Sequence, residues 1–474
     1  MTTLFEALPA PGLTAALTHW LPRQRWFADK GRSVRRVALL HQLPFAEATE
    51  AGGPAGALVV VRVDFVDSAQ STDYLLPLGA RTVLPSGLRI QAVAELPGAV
   101  VYDALEDPEL VTRLVRLIAA GESGGGVRFE PELPAFRPSE QRLASRRLGV
   151  EQSNSSVVVD DQYLLKVFRK LVPGTNPDLE LQRLLRDAKS TQVPRLLGAV
   201  EGPLGAGHAT FGLLQEYVPA ATEGWQLALT DLRRLLEGER PAGQDEPAGP
   251  FAAEAARLGA AVATVHDELA ALGGTVSLRR ADLALIAGRM TTRLDAALEL
   301  VPELAVHRDR VRAVFAAVAD LSPELAGDVQ RIHGDLHLGQ VLRSPSRWLV
   351  IDFEGEPAAP RAERGAMHPP AKDLAGMLRS FDYAAHHQLQ QSALGVALDR
   401  PGTLVRQWTT ENQLAFCTGY ASVSGRDPGS HGILLTAYQL DKAIYELCYE
   451  IRNRPGWAWI PLSAVGRLLT PSRA

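Results

Sequence analysis

The chain has 474 residues and a formal charge of −5, which argues against a single packed core and against a globally basic surface for nucleic acid or acidic membranes. Hydrophobic residues make up 46% and charged residues 22%, a globular composition that confines disorder to local stretches. No basic leader precedes an apolar core, no run of 18 uncharged apolar residues occurs, and the only cysteines are Cys417 and Cys448. A cytoplasmic protein with two free thiols, and no disulfide framework or zinc site, is expected.

The valine-rich run Leu58–Phe65, followed by Tyr74–Leu78 and Leu88–Leu96, predicts an early small sheet. Pro108–Ala120 carries apolar residues at helical spacing, and the glycine run at 121–126 should stop that helix and act as a flexible joint, which places a boundary near residue 130. The next segment reads as strand (Arg147–Val150), polar turn (Glu151–Ser156), a second strand ending in YLLKVF, and a helix opening at Asn176-Pro177-Asp178, where asparagine and early proline are N-terminal signals. Residues 237–250 read as a Pro/Gly/Glu-rich mobile loop. From Phe251 onward the pattern is mostly helical, broken by short strand-like pieces at 330–335 and 348–353.

The stretch His333-Gly334-Asp335-Leu336-His337-Leu338-Gly339-Gln340, followed by Ile351-Asp352-Phe353, carries the chemistry. Phosphoryl transfer needs one carboxylate to orient the attacking hydroxyl and oxygen ligands to hold Mg2+ against the phosphates. Asp335 suits the first role, and Gln340 and Asp352 suit the second, because magnesium prefers hard oxygen donors. Upstream, the turn 152–156, with Ser153, can present N–H groups and hydroxyls to ATP phosphates. Lys166 is the candidate phosphate lysine, since a charge inside an apolar strand must find a partner. Glu180 is its expected helical partner, and Leu213–Val218, with Gln215 and Tyr217, is the expected adenine-reading hinge. His266 reads as a packed structural histidine. The segment Glu354-Gly355-Glu356-Pro357 offers no D-F-G, which disfavours a protein kinase.

The H-x-D-x-x-x-x-Q…I-D-F spacing resembles the aminoglycoside-phosphotransferase and choline-kinase branch of the protein-kinase-like superfamily, with Gln340 where asparagine is common. More narrowly, WLPRQRWFADKGR (20–32), LLKVFRKLVPGTNPDLE (164–180), RIHGDLHLGQVLR (331–343), WLVIDFEGEP (348–357), KDLAGMLRSFDYAA (372–385) and LDKAIYELCYEIRNRP (440–455) resemble the maltokinase-like actinobacterial sugar kinases. The resemblance implies an α+β, bilobal protein-kinase-like fold. Its parts would be an N-terminal cap subdomain (1–130), a small antiparallel-sheet lobe with hinge (131–218) and a mostly helical C-terminal lobe with catalytic loop and sugar pocket (219–474). It also implies ATP with magnesium and a small sugar as partners, with no nucleic acid or membrane; monomer and dimer stay open.

Within that group, Gln439 stands where an acid is expected, and the stretch AAPRAERGAMHPPAKDLAG departs from the usual maltokinase run. These departures favour glucosamine, phosphorylated at its 6-oxygen, over maltose; a catalytically silent regulatory protein is the remote alternative. An amino sugar should be met by uncommitted carboxylates. The candidates are Asp441 and Glu446 on the helix 440–453, with Gln439 beside them and His337 as a neutral hydroxyl partner.

Overall fold

The computed structural model describes residues 10–48, 53–134, 136–149, 154–238, 250–356, 359–392 and 399–470. The expected phosphate contact Ser153 and the middle of the expected loop 237–250 lie outside the described residues. The chain falls into two compact units, residues 1–183 with 194–219, and residues 184–193 with 220–474. Among the described residues no helix is long and apolar enough to cross a membrane, and both thiols are free.

The first unit holds two antiparallel sheets. One contains β1 (Val34–Ala46), β2 (Ala55–Phe65), β3 (Thr72–Arg81), β4 (Ala92–Leu96) and β5 (Ala99–Asp103) in the order 1-2-3-5-4. Strand β2 reads as a nearly continuous apolar run because both of its faces are covered. Val59, Val61 and Val63 pack with α1 (Ala10–Trp20), Trp26 and Phe27, while Leu58 and Val60 pack with α2 (Pro108–Ala120). Residues 86–91 form a 3-10 turn, so the expected strand from Leu88 begins only at Ala92. Helix α2 starts at a cap in which Asp107 accepts from the Glu109 N–H, a contact worth about 1 kcal/mol, and ends at Gly121 in the left-handed region (φ 67°).

The second sheet runs β6 (Ser123–Gly124), β7 (Val127–Pro131), β12 (Leu196–Leu204), β13 (Gly207–Glu216), β10 (Tyr163–Phe168), β9 (Asn154–Val159) and β8 (Ser145–Arg147). The glycines expected to be a flexible joint are instead the turn of the β6–β7 hairpin. Gly125 and Gly126 adopt φ of 60° and 89°, which a tight hairpin requires and other residues resist. Strand β11 (Lys170–Leu171) leaves this sheet directly after β10 and pairs with β3. Helix α3 (Pro177–Asp187) opens where Asn176 Oδ1 accepts from the Asp178 N–H at 2.8 Å.

The second unit is mostly helical: α4 (Gly224–Glu237), α5 (Pro250–Gly273), α6 (Arg280–Leu300), α7 (Arg308–Ala319), α8 (Ala371–Gln391), α9 (Asp399–Ser424), α10 (Gly432–Asn453) and α11 (Trp459–Leu468). Short strands β14 (Thr222–Glu223), β17 (Val341–Arg343) and β18 (Trp348–Val350) form one ladder, and β15 (Thr275–Ser277) pairs with β16 (Asp328–Gln330). The expected strand at 330–335 is therefore shorter and lies earlier. Helices α5 and α9 cross through Gly259 and Gly419, where an added Cβ would come within 2.0 Å and 1.9 Å of a facing carbonyl oxygen. Helix α8 is buried along most of its length and carries the loop described next.

Candidate active site

Residues 333–340 connect β16 to β17 and are pinned by α8. The Asp373 carboxylate is buried and accepts from the N–H groups of His333 and Gly334, both at 2.8 Å. Behind it, His266 Nε2 lies 3.1 Å from Asp373 Oδ2, and His266 Nδ1 lies 3.0 Å from the Tyr420 hydroxyl. His266 is thus buried structure, as read, but part of a relay that orients the loop's anchor. Burial pushes the Asp373 carboxyl up, yet the His266 contact and the loop N–H groups hold it below the usual carboxylate value. Gly376 permits the close approach, since a Cβ there would sit 2.5 Å from the Leu336 carbonyl oxygen.

On this loop Asp335 Oδ1 receives Lys442 Nζ at 2.8 Å. Burial raises the Asp335 carboxyl, but the Lys442 ammonium above all holds it below its ordinary value, so it is an ionised acceptor at neutral pH. His337 Nδ1 accepts from the Gly339 N–H at 3.0 Å, which leaves Nε2 as the donor. Burial lowers the His337 imidazole to about 4, against the pull of Asp335, so it is neutral. Gln340 Nε2 donates to Asp352 Oδ2 at 3.2 Å, and that contact fixes the amide so that Oε1 is its remaining donor atom for a cation. Asp352 is held at φ 66°, in the left-handed region that few non-glycine residues occupy. Two oxygen donors so fixed suit a hard divalent cation.

Beside Asp335 lies a cleft lined among others by Glu356, Asp441, Lys442, Arg293 and Tyr445. Glu356 is only 6% exposed, and its Oε1 has no hydrogen-bond partner; the nearest cation, Lys442 Nζ, is 3.9 Å away. Arg293 Nε lies 2.9 Å from Asp441 Oδ1, an ion pair by distance but without hydrogen-bond geometry, since both atoms lack a hydrogen-bond partner. Burial raises the Asp441 carboxyl to about 6, opposed by Arg293. Two of the other residues expected at the sugar are elsewhere. Glu446 Oε2 is held by Arg379, fully buried in α8, at 2.6 Å, which turns it away from the cleft because Arg379 must be neutralised. Gln439 is half-buried and does not line the cleft.

In the first unit Lys166 is 5% exposed, and its Nζ meets Asp178 Oδ2 at 2.9 Å. The sequence points to Glu180 as a partner; Asp178, two residues earlier in the same turn, also belongs to the lysine's surroundings and meets the ammonium directly. Gln182 Nε2 bridges Asp178 Oδ1 (3.0 Å) and Gln215 Oε1 (3.1 Å). Gln215, expected in the hinge, is therefore a buried member of β13, paired with strands on both sides and tied to the lysine's acid. Tyr217 follows the strand; its N–H donates to the Gln162 carbonyl at 2.8 Å and its hydroxyl accepts from Arg146 at 3.0 Å. Asp178, Asp373, Lys442, Glu356 and Arg293 are the members that sequence reading missed.

Residues 144–401 match the family described as the phosphotransferase enzyme family. The chain belongs to that family. As a phosphotransferase with an alcohol acceptor and a kinase-like fold, it also carries a match to the maltokinase N-terminal cap domain over residues 20–107. It is 30% identical to a glucosamine kinase of Mycolicibacterium smegmatis over 70% of this chain and 81% of the relative. It is 29% identical to a glucosamine kinase of Streptacidiphilus jiangxiensis over 83% of this chain and 95% of the relative. A solved glucosamine kinase in complex with glucosamine, ADP and inorganic phosphate superposes on this phosphotransferase with a TM-score of 0.70 at 25% identity, covering 96% of this chain and 99% of that one.

Proposed function

We propose that the chain is an ATP- and magnesium-dependent glucosamine kinase, converting glucosamine and ATP to glucosamine 6-phosphate and ADP. The observation that carries the substrate is the pair of acids Glu356 and Asp441, lining the cleft beside Asp335, each with one buried oxygen (Glu356 Oε1, Asp441 Oδ1) that lacks a hydrogen-bond partner. A sugar ammonium would satisfy both through charge-assisted hydrogen bonds, which exceed those of a neutral sugar hydroxyl by about 1 kcal/mol. The two curated relatives and the solved structure, all glucosamine kinases, support the same reading.

In this reading Asp335 orients the sugar 6-hydroxyl and accepts its proton as the oxygen forms a bond to the γ-phosphorus. The bridging P–O bond breaks, and its electron pair leaves with ADP. Gln340 Oε1 and Asp352 are the residues that would hold Mg2+, which supplies charge neutralisation at the phosphates. Lys166, set by Asp178, binds phosphate, and neutral His337 offers its Nε2–H to a sugar hydroxyl. We assign residues 1–130 to a cap, 131–218 to nucleotide binding and 219–474 to catalysis and sugar binding, in a cytoplasmic protein supplied with ATP.

The test is ADP release with glucosamine, glucose, N-acetylglucosamine, maltose and an aminoglycoside in turn, with the phosphate located by NMR. Glucosamine should be preferred, and turnover should fall by at least about 10³-fold in Asp335→Ala. A preference for maltose with an anomeric phosphate would replace the proposal, and binding without turnover on any sugar would support a silent protein.

A further inference from the structure

Arg169, between β10 and β11, is a fully buried guanidinium that the reaction above does not use. Its carbonyl accepts from the Leu75 N–H of β3 at 2.8 Å. Its side chain donates from Nη2 to Asp103 Oδ2 at 2.6 Å and from Nε to Ser155 Oγ at 2.8 Å, and its Cζ lies 4.4 Å from the Trp26 ring centroid. Arg147 converges on the same two groups, reaching Asp103 Oδ2 at 3.3 Å and Ser155 Oγ at 2.9 Å, and it also binds Glu106 at 2.8 Å. Two guanidiniums thus fill both acceptor positions of one serine hydroxyl. Ser155 is 2% exposed, and its neighbour Ser156 pairs with Lys166 across the β9–β10 ladder.

The placement matters because stability alone does not require it. A buried ion pair is commonly no better than well-packed apolar side chains of similar volume, whereas it fixes geometry sharply through directed hydrogen bonds. Here the geometry fixed is that of Ser155 and Ser156, which belong to β9 and not to a turn as expected, relative to the strand that carries Lys166. The acid that fixes it, Asp103, closes β5 in the sheet matched by the cap family.

We propose that Arg169 is a positioning residue for the nucleotide: anchored by Asp103 of the cap, it holds Ser155 so that β9 and Lys166 present a preformed phosphate-binding edge. The proposal rests on the kinase reading of Lys166 but not on which sugar is phosphorylated.

The test measures binding of magnesium–ADP by calorimetry without sugar, together with KM for ATP and for glucosamine, in Ser155→Ala and in the double variant Asp103→Asn/Arg169→Met. The double variant removes both buried charges at similar volume, so it should fold. The expected result is a magnesium–ADP Kd and an ATP KM raised about tenfold, with the glucosamine KM within twofold and thermal midpoints near the parent's. If the double variant fails to fold, Ser155→Ala decides alone. An unchanged magnesium–ADP Kd in a folded variant overturns the proposal. A parent that binds magnesium–ADP but phosphorylates no sugar would defeat the glucosamine kinase reading while leaving this one to be judged on the Kd values.

Discussion

Replacing Lys442 by methionine should give the kinase an additional loss of activity on the acid side. Lys442 Nζ lies 2.8 Å from Asp335 Oδ1, and the side chains are 22% and 15% exposed. At an effective dielectric of about 20, attraction across that distance is on the order of 6 kcal/mol. Removing one partner of such a buried pair typically costs about 3–5 kcal/mol. The sign follows from the folded state. Lys442 now holds Asp335 below its ordinary value, so its loss removes the strongest opposition to burial and the carboxyl rises. Asp335 would then take up a proton more readily as pH falls and be ionised again as pH rises. The assay is kcat/KM from pH 5.5 to 8.5, taken as the ratio of variant to parent so that titration of the sugar amine cancels. The ratio should fall about two- to tenfold between pH 8 and pH 6 for Lys442→Met and stay flat for Lys442→Arg, which keeps the charge. A flat ratio for methionine would show that Lys442 does not set the protonation of Asp335.

Asp441→Asn should raise KM for glucosamine about 10–100-fold, the worth of a charge-assisted hydrogen bond, while KM for glucose stays within about twofold; steady-state kinetics on both sugars checks this. Because burial raises the Asp441 carboxyl to about 6, the ionised form that pairs with an ammonium dominates only above that value. KM for glucosamine in the parent should therefore fall as pH rises through about 6, and the asparagine variant should lose that component. Glu446→Gln should behave as a structural variant. It weakens the neutralisation of buried Arg379, which retains Asp382 at 2.5 Å, so thermal denaturation should show a loss of about 1–3 kcal/mol with the glucosamine KM within about twofold.

The catalytic loop was legible because its chemistry is local. Asp335, His337 and Gln340 lie within six residues, and Asp352 follows one short hairpin later. What sequence reading missed arrives from elsewhere in the chain or turns on helix rotation. Asp178 and Glu180 differ by about 200° around α3, and Asp178 lies on the more buried side. The buried series Asp178, Leu181, Gln182 and Leu185 marks that side, and it was readable as an i, i+3, i+4, i+7 stripe. The same holds on α10, where Tyr438, Asp441, Lys442 and Tyr445 line the cleft while Glu446 faces α8. Glutamate is an ordinary surface residue on a helix, so nothing local announces that it will meet a buried arginine 67 positions away. The cap sheet was visible as valine-rich strands, but the glycines at 124–126 fit a linker and a hairpin turn equally well until the pairing of β7 with β12 is known.

The charge pattern of the cleft ties the amino sugar to the phosphoryl acceptor site. Asp335, Glu356 and Asp441 face Arg293, Lys372 and Lys442, so the cleft is near neutrality above the titration of Asp441, and no side chain there carries a large unbalanced charge into low dielectric. A bound ammonium adds one positive charge, which Asp441 can balance only while ionised. The transferred phosphoryl group then brings negative charge to the same site. An amino sugar thus supplies part of the compensation for its own phosphorylation, whereas a neutral sugar would leave that work to the cations of the protein and its metal, among which Lys442 is already paired with Asp335.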